Sequence, residues 1–152
     1  VEIQIRRARR ADVEPIVRLL IDDQFGFTRD SADDLGPYLK AFEDINADAS
    51  QLLMVADRDG AVVGTLQLTI IPGLARKGAL RGQVEAVRVR SDQRGSGLGG
   101  MLMDWAIAES RRRGCALVQL TSDASRTDAH RFYERLGFVA SHQGFKLGLV
   151  GG

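Results

Sequence analysis

The chain has 152 residues, 44% of them apolar and 27% charged, with a net charge of +1. That is the size and composition of one ordinary globular domain, so a single domain over residues 1–152 is expected. Its apolar runs fall far short of the roughly 20 residues that cross a bilayer, and one cysteine with two histidines supplies neither an internal disulfide nor a metal-ligand set.

The opening VEIQIRRARR lacks the apolar run of a secretory signal, and a cytoplasmic location is the expectation. Glu2 to Arg7 alternates apolar and polar residues as a strand does. Asp12 is then placed to cap a helix whose Val13, Ile16, Val17 and Leu20 share one face. A second helix is expected from near Ser31, where Leu35, Tyr38, Leu39, Phe42 and Ile45 keep helical spacing, with Gly36-Pro37 as the point at which it would divide. The acidic, aromatic stretch between these helices is a candidate border for a substrate pocket.

Leu52 to Ala56 and Ala61 to Ile71 read as strands joined by Asp57-Arg58-Asp59-Gly60, in which Asp-Gly signals a tight hairpin. Pro72-Gly73 ends the second strand, and a loop with Arg76 and Lys77 leads to a further strand from Gln83 to Val89. A glycine-rich turn then opens a helix ending at Gly114, its apolar face made by Leu98, Met101, Leu102, Trp105 and Ala106. Arg111 to Arg113 sit where the helix dipole favours cations, and Gly114 is placed as the C-terminal cap. Ala116 to Thr121 is a short apolar strand, and Cys115 beside it is assigned no chemistry, because apolar burial makes a thiol inert. Asp128 to Leu136 reads as a short helix, and Phe138 to Leu149 as one or two final strands around His142-Gln143-Gly144. The order β-α-α-β-β-β-α-β-α-β predicts a mixed α/β fold, a largely antiparallel twisted sheet flanked by helices.

Charge is unevenly spread. Residues 12–59 carry twelve acids against four bases, and the rest of the chain eight acids against seventeen bases. Two readings are open: charges solvated on helix surfaces, or a basic part for a polyanionic cofactor beside an acidic part for a cationic acceptor.

The strongest motif is Arg94-Gly95-Ser96-Gly97-Leu98-Gly99-Gly100, between a strand and an amphipathic helix. Glycines let backbone approach a ligand, the first amides of a helix lack intrahelical acceptors, and the dipole behind them favours a pyrophosphate. Arg94 adds a fixed positive charge. Gly95-x-Gly97-x-x-Gly100 also fits the dinucleotide fingerprint, with Asp123 as the acid that would grip a ribose; that fingerprint belongs to buried parallel strands, and QVEAVRVR is charged at alternate positions. In the preceding strand Val84 and Ala86 keep one alternating phase, and Val87 and Val89 the other. A flip of this kind is the signature of a β-bulge, which would free an N–H near Val87 to hold a carbonyl; the alternative is irregular patterning in a strand buried on both faces.

The run EAVRVRSDQRGSGLGGMLMDWAIAESRRRGC, followed by LTS and AHRFYERLGF, resembles the GNAT superfamily of acyl-CoA N-acyltransferases. The resemblance covers about Gln83 to Gly144, with the family's loop appearing as Arg94-x-x-Gly97-x-Gly99; the N-terminal third matches only in its order of elements. It implies acetyl-CoA as acyl donor, with Val87, Arg88 and Val89 along the pantetheine arm and Arg94 to Gly100 around the pyrophosphate. It also implies that the strands flanking the loop splay apart to admit that arm. Tyr133 matches the tyrosine that protonates the departing thiolate in many members, a role a phenol suits because it stays protonated at neutral pH. Glu85 is the candidate base for the amine proton; its alternative is a structural pair with Arg88 or Arg90. Many members have an asparagine where this chain has Arg126, which would meet a CoA phosphate or cap the sheet edge. His130 is read as a surface or packing residue.

The resulting expectation is an N-acetyltransferase that moves acetyl from acetyl-CoA directly to a primary amine of a small acceptor in a ternary complex. Polyamines, amino acids, aminoglycosides, aminophosphonates and protein lysines all remain open as acceptors. The alternative is a non-catalytic acyl-CoA-binding module. A homodimer is expected from the resemblance, with no nucleic-acid or membrane partner.

Overall fold

The first five predicted strands form and join in chain order. β1 (Ile3–Arg7), β2 (Gln51–Arg58), β3 (Ala61–Ile71), β4 (Leu80–Val89) and β5 (Cys115–Gln119) make one sheet in the order β1-β2-β3-β4-β5. The first four run antiparallel, and β4 and β5 pair in parallel. The computed structural model describes residues 2–22 and 30–150, in two units, Val1–Leu120 and Thr121–Gly152.

The β2–β3 hairpin closes on Asp59 and Gly60, both at positive φ (52° and 94°), the geometry that makes Asp-Gly the preferred pair in such turns. The Gly60 amide donates to Asp57 Oδ1 at 2.7 Å and fixes the entry to the turn. α1 (Val13–Asp22) and α2 (Gly36–Asn46) cover one face of the sheet, where Val13, Ile16, Val17 and Phe42 bury against Val55. α4 (Leu98–Arg112) covers the opposite face: a Cβ on Gly64 would lie 3.1 Å from Leu102 Cδ1 and 3.4 Å from the Ala56 methyl, and Ala56 is the strand neighbour of Val55. Arg113 Nη1 donates to Ala49 O at 3.0 Å and ties the end of α4 to the turn before β2.

Several expectations need correction. The second helix starts at Gly36 instead of near Ser31, and Pro37 lies in its first turn, where a missing N–H costs nothing. Asp12 does not cap α1 by reaching forward. Its Oδ2 accepts the Arg9 amide at 2.7 Å, behind it, and its carboxylate is gripped by Arg6. The loop with Arg76 and Lys77 contains α3 (Ala75–Gly78), whose Arg76 and Lys77 are left-handed (φ 56° and 60°).

The second unit carries α5 (Thr127–Arg135), and no strand is assigned after it among the described residues. The final strands expected from Phe138 to Leu149 are therefore absent from the assigned elements, while the rest of the predicted order stands. Phe145, Leu147 and Leu149 alternate and are exposed, but alternation supplies only a face; a strand also needs a neighbour for its amides and carbonyls. No helix among the described residues is long and apolar enough to cross a membrane, and no cluster there could hold a metal ion.

Candidate active site

The β3–β4 ladder breaks where the alternation does. Thr65 pairs with Arg88 and Gln67 with Glu85, so Leu66 faces two residues, Ala86 and Val87. This is a β-bulge, and Ala86 takes φ 54°, a left-handed conformation that such bulges usually assign to glycine. The extra residue puts Glu85 and Arg88, three apart in sequence, on the same face as Gln67 and Thr65.

On its other edge β4 is paired with β5 only from Leu80 to Gln83, and the last pair is joined by Gln119 Nε2 donating to Gln83 Oε1 at 2.7 Å. Among the described residues β5 ends at that pair, and β4 continues to Val89 without a further assigned partner on this edge. The Arg90 amide donates to Val63 O at 2.8 Å, so residues 88 and 90 address β3, and by alternation Val87 and Val89 turn their amides and carbonyls to the open edge. The Val87 carbonyl accepts Arg88 Nη1 at 3.0 Å. An extended ligand with its own amides would add to this edge as a further strand.

The edge runs directly into the glycine-rich loop. Gly95 (φ 81°) and Gly97 (φ 87°) are left-handed, which only glycine adopts without strain. Met101 is bonded to the carbonyl of Gly97, which caps α4, so the amides of Leu98, Gly99 and Gly100 precede the helix ladder and point out of its positive end. A Cβ on Gly95, Gly97 or Gly100 would meet nothing within 4 Å, so the loop faces open space. Its foot is fixed: the Ser96 hydroxyl donates to Gln93 O, and Gln93 Oε1 accepts Arg58 Nη1 at 2.7 Å. Arg94, 57% exposed, lies 3.9 Å from Asp22 at the end of α1. The Leu98 side chain is buried, leaving only its backbone for a ligand.

These features fit a CoA thioester: an open strand edge for the amides of pantetheine, and a helix N-terminus with an arginine for the diphosphate. β4, α4 and β5 do form a parallel βαβ unit, contrary to the argument made from alternating charge. The remaining strands are antiparallel and β4 is bulged, and Asp123 is engaged by the Ser125 amide and hydroxyl at 2.9 and 2.6 Å.

In the first unit Glu85 is exposed on β4, next to the bulge. Tyr133 belongs to the second unit, half-buried on α5 with its ring edge-on to Phe132 and Phe138 at centroid distances of 5.1 and 5.9 Å. Arg126 occupies the N-cap position of α5. The His130 ring lies 2.9 Å from Asp123 O. Cys115 opens β5, and burial raises its thiol pKa. The acidic, aromatic stretch between α1 and α2 falls largely on residues 23–29, outside the described residues. Ala86 was not among the candidate residues; the phase flip it causes was the signal that locates it.

The chain is 36% identical over 95 residues to the aminoalkylphosphonate N-acetyltransferase of Salmonella typhimurium, covering 62% of this chain and 61% of that protein. It is 38% identical over 90 residues to the glucosamine 6-phosphate N-acetyltransferase of Trypanosoma brucei brucei, covering 59% of each. The match thus spans about three-fifths of these relatives' length. A crystal structure of a transcriptional regulator from Bacillus halodurans C-125 superposes with a TM-score of 0.94 at 42% identity, covering 97% of this chain and all of that one (100%). The model of the acetyltransferase (GNAT) family matches residues 14–138, a stretch that includes the bulge, the open edge and the glycine loop, and the chain belongs to that family.

Proposed function

We propose that this chain is an N-acetyltransferase that moves acetyl from acetyl-CoA directly onto a primary amine of a small acceptor, both substrates being bound together. The observation that carries the reading is the bulged, unpaired edge of β4 ending at the amides of the α4 N-terminus. Acetyl-CoA supplies an activated acyl group as a thioester. Val87 and Val89 bind the pantetheine arm through their backbone, with Arg88 between them, and an amide at the bulge orients the thioester carbonyl. The amides of Gly95 to Gly100, with Arg94, hold the diphosphate; Arg126 is a further candidate for a CoA phosphate.

Glu85 takes a proton from the acceptor ammonium, directly or through water, and the freed amine attacks the thioester; Tyr133 gives its phenolic proton to sulfur as the C–S bond breaks, and the second proton, shed by the new amide nitrogen, restores the phenol through water. Holding both reactants in place makes the transfer effectively unimolecular. The chain acts as one catalytic domain in the cytoplasm, as a homodimer.

A thiol-release assay with acetyl-CoA and an amine panel tests the reading, beginning with aminoalkylphosphonates and glucosamine 6-phosphate, the amines named for the two curated relatives. The expected outcome is amine-dependent CoA release that Tyr133→Phe slows by about 10²-fold or more in kcat. Unchanged turnover of Tyr133→Phe, where chemistry limits the rate, removes Tyr133 from the mechanism. The description of the Bacillus structure as a transcriptional regulator favours a second reading, a non-catalytic acyl-CoA-binding module. Tight binding of acetyl-CoA without thiol release to any amine would select it.

A further inference from the structure

A cavity of about 170 Å³ lies between α1, α2 and the sheet, and Ala86 of the bulge forms part of its wall. Its other walls include Val17, Leu20, Phe42, Ile45 and Leu53. No lining residue is charged, and the three polar ones are engaged elsewhere. Thr65 Oγ1 donates to Met54 O at 2.8 Å, Gln67 Nε2 to Gln51 Oε1 at 2.9 Å, and the Tyr38 hydroxyl to Asp30 Oδ1 at 2.9 Å. An apolar cavity of about 150 Å³ is large enough to take up benzene, so this one has room for roughly six carbons, several more than an acetyl methyl needs.

We infer that this cavity is an acyl-chain pocket, and that beside acetyl-CoA the protein takes CoA thioesters with linear chains of about four to six carbons and binds them more tightly. The inference rests on the CoA reading above. A pantetheine arm hung from the glycine loop and paired with Val89 and Val87 reaches Ala86 at its end, about 13 Å along the strand from Arg90. Ala86 is the residue shared by that edge and the cavity, so the group carried by the thioester points to the cavity mouth. An acceptor amine, mostly protonated at neutral pH, finds no carboxylate in the described lining; a hydrocarbon chain finds a wall of methyl and methylene groups.

The test is calorimetric titration of the purified full chain with CoA, acetyl-CoA, butyryl-CoA and hexanoyl-CoA. Each methylene buried should tighten binding about fourfold, and butyryl-CoA carries two more than acetyl-CoA, which puts its Kd about 15-fold lower. Ala41 lies on the exposed rim of the cavity. Ala41→Phe should bring the butyryl-to-acetyl ratio back to near one, and Ala41→Leu should leave it intermediate. Equal affinity for all three thioesters, or a butyryl preference that survives Ala41→Phe, overturns the acyl-chain pocket and leaves the CoA reading standing. Failure of every ligand, CoA included, overturns both.

Discussion

Ala86 occupies a left-handed conformation that costs an L-residue about 1–2 kcal/mol, against roughly 0.5–1 kcal/mol of extra chain entropy that glycine would lose. Ala86→Gly should therefore leave stability unchanged or raise it by up to about 1 kcal/mol. Ala86→Val should lower it by about 2 kcal/mol or more, since β-branching is worst tolerated at positive φ. Urea unfolding of the two variants checks this, and equal destabilisation by both would mean that the bulge is not strained. Tyr133 is held by a different local device. Gly137 (φ 99°) closes α5 in a Schellman motif: its amide meets Glu134 O at 3.0 Å, the Phe138 amide meets Tyr133 O at 3.1 Å, and the Phe138 ring packs on the tyrosine. The run Tyr133-Glu134-Arg135-Leu136-Gly137-Phe138 thus fixes the tyrosine ring through local geometry.

At the scale of elements, α4 packs tightly on β4 at Gly82, where an added Cβ would lie 2.5 Å from Ser110 Oγ and 3.3 Å from its Cβ. Ser110 is buried and cannot swing out, because its hydroxyl donates to Ala106 O at 2.8 Å. Gly82→Ala should cost about 2 kcal/mol by overpacking, and Ser110→Ala in that background should recover part of it, a coupling readable in a double-mutant cycle. Independent, additive losses would count against direct contact. This contact was not legible in the sequence, since Gly82 sits at the start of a strand and Ser110 near the end of a helix, and nothing local pairs them. Elements whose signal is local were legible: the Asp59-Gly60 hairpin, the apolar face of α1, and the Ala86 bulge through its phase flip. On α4, Leu98, Leu102 and Ala106 are buried as expected, but Met101 is exposed and Met103, outside the expected face, is buried. Helix and strand ends were less so. Pro37 reads as a breaker or as a first-turn residue depending on which side the helix lies, and 138–149 carries a strand's alternation without an assigned ladder. The candidate site divides in the same way: the β4 edge and glycine loop are contiguous in sequence, but the cavity beside Ala86 is built from five separate elements.

Across the larger unit, the uneven charge resolves partly into ion pairs between the acidic stretch and its basic flanks. Arg10 meets Glu43 at 3.0 Å, Arg94 lies 3.9 Å from Asp22, and Arg6 holds both Asp12 at 2.7 Å and Asp57 at 3.0 Å. The exposed pairs contribute little, whereas Arg6, at 16% side-chain exposure, joins β1, the start of α1 and the β2–β3 hairpin. Burial pushes the Asp12 carboxyl up, but its bonds to Arg6 and the Arg9 amide outweigh this and hold it below the ordinary range. Asp57 is lowered by its hydrogen bond to Arg6, and Glu109, bonded to Arg112 and Arg113, is lowered to about 2. Groups depressed on folding contribute stability above their unfolded pKa and lose it as pH falls through the folded value. Stability should therefore be full above roughly pH 5 and decline from there toward pH 2. Arg6→Leu removes the guanidinium and leaves burial opposed chiefly by the Arg9 amide, so the Asp12 pKa should rise. The variant should be less stable at pH 7 by about 2 kcal/mol. The difference from the parent should narrow as pH falls from 7 to 5 and Asp12 takes up a proton, so the variant gains stability on acidification while the parent stays level. Urea unfolding at half-unit pH intervals reads both slopes. A variant curve parallel to the parent's between pH 7 and 5 would show that Arg6 acts by packing its stem, with the Asp12 charge of no account.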